Sequence, residues 1–359
     1  MKIAYYCTNR TVFPSPPDIV AANAQVMFDI VTGIIKKGHD ITIYASKGSH
    51  VEGAKIVDLG LPPHQLDHAY VHEEWVKDLH IAYRIAYISD LVSRSHEYDL
   101  IHLHVGRAIF GEPFLRYAKC PIVFTIHETL EPHFAKLMNL YPKANLVSVS
   151  NAQRRPIPSL NYVDTIYHGV DVSQFQFNPK PTSGLLFLSR ISKEKGVEFA
   201  IKTAQKTGEG LDIYGPGDEK YLKSAVKPYL NDKIKYHGMV KLHSPEWYQA
   251  YANTKVFLFP IQWNESFGLV MIEAMACGTP VIAFRQGAVP EVIKDGETGI
   301  IVEPGDLSGM VEAVKKIYEM PDSDYQKMRK ACRKHVEDNF TIDRMVDNYE
   351  KLYEKIISQ

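Results

Sequence analysis

Cysteine is scarce in this 359-residue chain, and the four present, Cys7, Cys120, Cys277 and Cys332, have neither metal-ligand spacing nor the density of a disulfide scaffold. They read as small, mostly core residues of a protein kept in a reducing compartment. Charge of one sign is not in excess either. There are 41 Lys+Arg against 42 Asp+Glu, and the balance holds on both sides of Asp171. That excludes a bulk basic lobe for nucleic acid or an anionic membrane, although peripheral membrane contact stays open. No apolar run approaches the roughly 20 residues needed to cross a bilayer. Met1-Lys2-Ile3-Ala4-Tyr5 passes straight into a strand pattern, without the architecture of a signal peptide. The expected location is cytoplasmic. A P-loop, a GxGxxG run, an HExxH pair and a Ser nucleophile elbow are all missing, so several common chemistries have no motif to stand on.

What the chain does have is ample apolar material, 45% of residues, and a length that implies two cores. Short β-rich apolar runs alternate with helical patterns from end to end. Strands are expected at Lys2–Cys7, Asp40–Ala45, Lys55–Leu59, Leu100–Val105, Ile122–His127, Asn145–Ser150 and Asp164–Tyr167. A second set is expected at Gly184–Ser189, Leu211–Tyr214, Ile234–Tyr236, Val256–Phe259, Pro280–Phe284 and Gly299–Val302. Helices are expected over Ala21–Lys37, ending at Gly38, over Leu307–Glu319 after Asp306, and over Ile342–Ser358. Strands apolar on both faces, separated by helices, imply parallel doubly wound sheets, and so an α/β fold of two Rossmann-like domains. The aperiodic, Pro-containing stretch Asp171–Ser183 reads as the linker. The boundaries are therefore 1–172 and 173–341, with the C-terminal helix 342–359 returning to the first domain.

The most informative segment is 264–280, NESFGLVMIEAMACGTP. It follows a strand and should open a helix near Ser266 or Phe267, apolar almost all round and hence buried. Inside it sits one carboxylate, Glu273, which costs several kcal/mol unless something receives it. That partner is either a ligand or a core Arg or Lys. The amides of Phe267, Gly268 and Leu269 at the helix start would form an anion site, with Gly268 allowing close approach. Glu265 precedes that site by a short step, about 80° from Glu273 if one ideal helix carried both. A diphosphate flanked by hydroxyl-rich sugars would use all three features, because carboxylates accept from sugar hydroxyls.

A second segment, 186–196 (LFLSRISKEKG), runs from a strand into a loop and places Arg190 and Lys195 at the strand's carboxyl end. Two cations there suit a departing diphosphate. Weaker signals are set aside. His102 and His104 share one strand face, but no third ligand accompanies them, so they read as satisfied strand-end histidines rather than a metal pair. Tyr214-Gly215-Pro216-Gly217-Asp218 reads as a plain turn.

Arg190 with Lys195, Glu265 and Glu273 with seven residues between them, Gly278-Thr279-Pro280-Val281-Ile282-Ala283, and Glu291…Gly296…Thr298-Gly299 strongly resemble the retaining GT-B glycosyltransferases of family 4. The likeness is dense over 184–304 and looser in the first half, at 36–43, 99–102, 125–128 and 168–171. The resemblance implies two facing Rossmann-like domains with a cleft between them, the first serving the acceptor and the second a nucleotide-sugar donor. It implies Arg190 and Lys195 on the donor diphosphate, Glu273 on the ribose, and Glu265 with the Phe267–Leu269 amides on the transferred sugar and phosphate. It places His127 near the sugar and Met239 and Val240 beside the base. No cofactor and no metal are expected, and the acceptor is of carbohydrate type. One departure stands out: the loop 13–24 lacks the Gly-Gly pair of many relatives, so Ala21 and Ala22 would hold a ligand further from the backbone. The residues leave two other readings open, a nucleotide-sugar epimerase or phosphorylase of the same fold, and a nucleotide-sugar binder without turnover.

Overall fold

The structure is a computed structural model and describes residues 1–19, 21–63, 73–106 and 108–359. The chain divides into two compact units, Met1–Tyr167 with Ile342–Gln359, and His168–Thr341. Every strand expected from the apolar runs is present, with ends displaced by two residues at most.

In the first unit, β1 (Lys2–Tyr6), β2 (Asp40–Tyr44), β3 (Ala54–Val57), β4 (Leu100–Leu103), β5 (Ile122–Ile126), β6 (Asn145–Ser148) and β7 (Tyr162–Thr165) form one parallel sheet. Its order is β3-β2-β1-β4-β5-β6-β7, so the winding reverses between β1 and β4. The helices of this unit are α1 (Ala22–Lys36), α2 (Glu73–Ser93), the single turn α3 (Ala135–Met138) and, from the far end of the chain, α11 (Ile342–Ile357).

Two devices fasten α11. Gly33 of α1 meets Val346 so closely that a Cβ there would lie 2.4 Å from a Val346 methyl. Lys37 pairs with Asp347 and Glu350, at 2.7 and 2.8 Å. On the inner side, Tyr353 and Tyr349 enter a buried polar chain. His102 bonds Tyr353 through Nδ1 (2.6 Å) and Thr125 through Nε2 (2.8 Å), and Thr125 in turn meets the Tyr349 hydroxyl at 2.9 Å. Both ring nitrogens of His102 are thereby used, which gives it a structural role.

The second unit repeats the plan. Strands β8 (Ser183–Leu188), β9 (Leu211–Tyr214), β10 (Ile234–Tyr236), β11 (Thr254–Phe259), β12 (Val281–Phe284) and β13 (Gly299–Val302) run parallel in the order β10-β9-β8-β11-β12-β13. Here the reversal lies between β8 and β11. The helices are α4 (Val197–Thr207), α5 (Glu219–Ala225), α6 (Pro245–Ala252), α7 (Leu269–Ala276), α8 (Val289–Val292), α9 (Leu307–Glu319) and α10 (Asp322–Asn339).

The stretch 171–183 belongs to this unit rather than forming a free linker. Phe175 is buried against Trp247 and Tyr248. Arg333 of α10 donates to the Phe175 carbonyl, and Arg329 to that of Asn178. Two prolines and no period conceal these tertiary anchors in the sequence.

Candidate functional site

In open parallel sheets, ligands bind beyond the carboxyl ends of the strands where the winding reverses. In the second unit that point lies between the loops after β8 and β11, which carry Arg190, Lys195, Glu265 and the opening of α7.

The two loops are locked together by main-chain contacts. Gln262 N–H donates to the Glu194 carbonyl at 2.8 Å. Gly196, with φ of 78°, lies so near Pro260 that a Cβ would stand 2.0 Å from its carbonyl oxygen. Only glycine fits both that space and that conformation. On the other side Ala288 N–H donates to the Glu265 carbonyl (2.9 Å), and Gly287 packs directly on the Glu265 backbone. Glu265 is thus clamped from two directions.

The outcome is an ion pair between residues 70 apart in sequence: Lys195 Nζ to Glu265 Oε2 at 2.8 Å, with side chains 13% and 14% exposed. The sequence brings both to the same carboxyl edge but gives no sign that they bond each other. Trp263 joins them, donating its indole N–H to the same Oε2 at 3.2 Å, with Lys195 Nζ 4.8 Å from its ring centroid. Arg190 stands apart from this group. It is exposed, makes no hydrogen bond or ion pair with either glutamate, and acts electrostatically on Glu194.

The helix begins later than expected. α7 opens at Leu269, because Gly268 takes φ of 86° and Met271 N–H already returns to the Gly268 carbonyl. Phe267 and Gly268 therefore precede the helix, and Glu265 and Glu273 do not share one helical wheel. Leu269 and Val270 open the first turn, where amides lack intrahelical acceptors. The Phe267 ring is buried edge-on to His168 and Phe340 (5.0 and 5.9 Å), which pins the turn.

The buried character of α7 holds: Met271, Ile272, Ala274, Met275 and Ala276 are all inside. Its far end is closed by two arginines of α10. Arg329 donates to the Cys277 carbonyl (3.2 Å) and Arg333 to that of Ala276 (2.8 Å), so cations sit at the negative end of the helix.

Glu273 meets neither Arg nor Lys. Its Oε2 accepts from the Tyr251 hydroxyl at 2.7 Å, and burial pushes its carboxyl up to about 7. Tyr251 is itself held, because Thr279 Oγ1 donates to its carbonyl at 2.8 Å. This gives the Gly-Thr-Pro run a structural purpose. At the outermost strand of this sheet, Met239 is exposed and Val240 half-buried in the loop after β10. His237 there stacks on Tyr214 (4.4 Å, 12°) and bonds Asp212 at 2.7 Å.

His127 lies in the first unit, at the end of β5. Its Nε2 meets His104 Nδ1 at 2.8 Å, and burial pushes its pKa down to about 3. It is neutral at physiological pH. Trp263, Tyr251, Gly196 and Gly287 were absent from the sequence-based site. Among them only Gly196, standing where a strand-to-helix loop ends, had a signal that could have been used. Among the described residues no group of three or more His, Cys, Asp or Glu could hold a metal ion, and no helix is long and apolar enough to cross a membrane.

Two parallel sheets of this order fit the GT-B fold. Sucrose-phosphate synthase from Thermosynechococcus elongatus superposes with a TM-score of 0.81 at 18% identity, covering 100% of this chain and 99% of that one. Anabaena HepE in complex with UDP-glucose superposes with a TM-score of 0.74 at 18% identity, with both chains covered in full. Residues 172–335 match the family Glycosyl transferases group 1, and residues 24–174 match Glycosyltransferase Family 4. An uncharacterized 41.2 kDa protein in the cps region of Klebsiella pneumoniae is 31% identical over 298 residues, 72% of this chain and 79% of its own. The chain belongs to the group 1 glycosyltransferases, and its activity is glycosyl transfer.

Proposed function

We propose that the protein transfers a hexose, with retention of anomeric configuration, from a nucleoside diphosphate sugar bound by the second unit to a carbohydrate-type acceptor. The observation that carries this reading is the Lys195–Glu265 pair at the reversal of the β8–β11 sheet edge, beside the opening turn of α7. Lys195, with exposed Arg190, supplies positive charge for the diphosphate. The Gly268–Leu269 turn offers backbone donors without a metal ion. Glu265 accepts from the sugar's hydroxyls and Glu273 from the ribose. Met239 and Val240 flank the base. That HepE binds UDP-glucose supports a donor of this chemical class.

In the transfer step the bond from the anomeric carbon to the diphosphate oxygen breaks, and the electron pair leaves with the diphosphate. The acceptor oxygen forms the new bond on the same face, and its proton passes to the departing phosphate oxygen. Charge grows on that phosphate, where Lys195 acts. His127, neutral because it is buried, serves as a hydrogen-bond partner and not as a charge.

The test is to incubate the protein with UDP-, GDP- and ADP-hexoses and follow nucleoside diphosphate release. Proton NMR then reads the anomeric configuration of the product. Release from one base class, with the donor's configuration kept, is the expected result; an inverted product refutes the retaining mechanism.

A further inference from the structure

Trp263 has no part in the roles assigned above. It stands two residues before Glu265 and is 39% exposed, whereas Trp247 is buried among Phe175, Tyr248 and Tyr251. Leaving a large aromatic ring half in solvent forgoes burial that a core position would give it. Its contacts explain the placement. The indole N–H reaches Glu265 Oε2 (3.2 Å), the same oxygen accepts from Lys195 Nζ (2.8 Å), and that ammonium lies 4.8 Å from the Trp263 ring centroid. The three groups close a triangle. Oε2 is committed to two donors, and Oε1 has no partner among the described residues, so Oε1 is the oxygen left to accept from a ligand. The loop carrying Trp263 is fixed by Gln262 N–H on the Glu194 carbonyl and by Gly196 against Pro260, so the ring is held where it can act.

We infer that Trp263 is a positioning residue of the transfer site: its ring face holds the Lys195 ammonium, and its N–H orients the Glu265 carboxylate so that Oε1 faces the sugar. This rests on the transferase reading above. The two contributions separate chemically, because phenylalanine keeps a ring face without the N–H and leucine keeps neither.

The test is a double-mutant cycle read by calorimetric titration with UDP, GDP and ADP, using wild type, Trp263→Leu, Trp263→Phe, Lys195→Met and the Trp263→Leu/Lys195→Met double variant. For the nucleotide bound best, Trp263→Leu should weaken binding about tenfold, and Trp263→Phe less than about threefold. In the Lys195→Met background Trp263→Leu should cost less than about twofold, because the ring then has no ammonium to hold. Turnover should split differently: Trp263→Phe should lower kcat about tenfold at unchanged donor KM, through Glu265. Additive binding losses, or a Trp263→Leu variant that binds and turns over like wild type, overturn the inference and leave the transferase reading standing. If none of the three nucleotides binds the wild type, the donor-site reading falls and the inference falls with it.

Discussion

Replacing Gly196 by alanine should separate the cost of backbone strain from the cost of displacing the site. Gly196 and Gly208 bracket α4, with φ of 78° and 76°. In that left-handed region an L-residue pays about 1–2 kcal/mol, so both substitutions carry a similar strain. Their surroundings differ. At Gly208 nothing lies within 4 Å of an added Cβ, whereas at Gly196 the Pro260 carbonyl oxygen lies at 2.0 Å. To reach an ordinary contact the 193–196 turn must retreat by on the order of 1 Å, which adds about 1–3 kcal/mol of overpacking. The same retreat pulls Glu194 from Gln262 and Lys195 from Glu265, both now at 2.8 Å. A misplacement of about 1 Å in a catalytic group costs about 100-fold in rate. Gly208→Ala should therefore lose about 1–2 kcal/mol in chemical denaturation with turnover unchanged. Gly196→Ala should lose about 2–5 kcal/mol and about 100-fold in kcat/KM. Nucleoside diphosphate release from the preferred donor supplies the rate. If Gly196→Ala turns over within a few-fold of Gly208→Ala, the loop contact does not position Lys195 and the reasoning fails.

Glu273 should trade stability against binding. Its carboxyl titrates at about 7 in the folded protein, above the ordinary value of 4.5, so its neutral form is favoured by folding. The stability it contributes is present below about pH 4.5 and is lost as pH rises through about 7. Glu273→Gln should match wild type near pH 4 and exceed it by about 3 kcal/mol at pH 8, while losing nucleoside diphosphate affinity. Equal stability at both pH values, or retained affinity, contradicts the assignment. In the first unit, Gly33→Ala drives a methyl into Val346 at 2.4 Å and should cost about 1–3 kcal/mol by lifting α11 from α1. A thermal scan reads it, and an unchanged midpoint would show that the helices have room.

The fold was legible because buried parallel strands are written as continuous runs of Val, Ile, Leu and Phe, as in β5 (IVFTI) and β11 (TKVFLF). α10 is the opposite case. It was not among the expected helices, since half of its residues are charged and it buries Arg329 and His335 where an apolar stripe would be sought. The site was legible by residue type and strand-end position, and less so by partner. Glu273 was expected on a ligand or a core cation; Tyr251 holds it, through a contact 22 residues distant that no spacing reveals. The opening of α7 was placed too early because Ser266 and Phe267 can extend a helix. The positive φ of Gly268 is what delays it. Lys195 and Glu265 were each singled out, but their bond depends on two loops meeting over the β8–β11 edge.

The central claim is that this pair serves the transfer step, Lys195 on the departing diphosphate and Glu265 on the hydroxyls of the transferred sugar. The most direct measurement is single-turnover cleavage of the preferred nucleoside diphosphate sugar by Lys195→Met and Glu265→Gln, each checked for wild-type circular dichroism. The account predicts a fall of at least about 100-fold in the chemical step for both. Cleavage at the wild-type rate in either folded variant would contradict it.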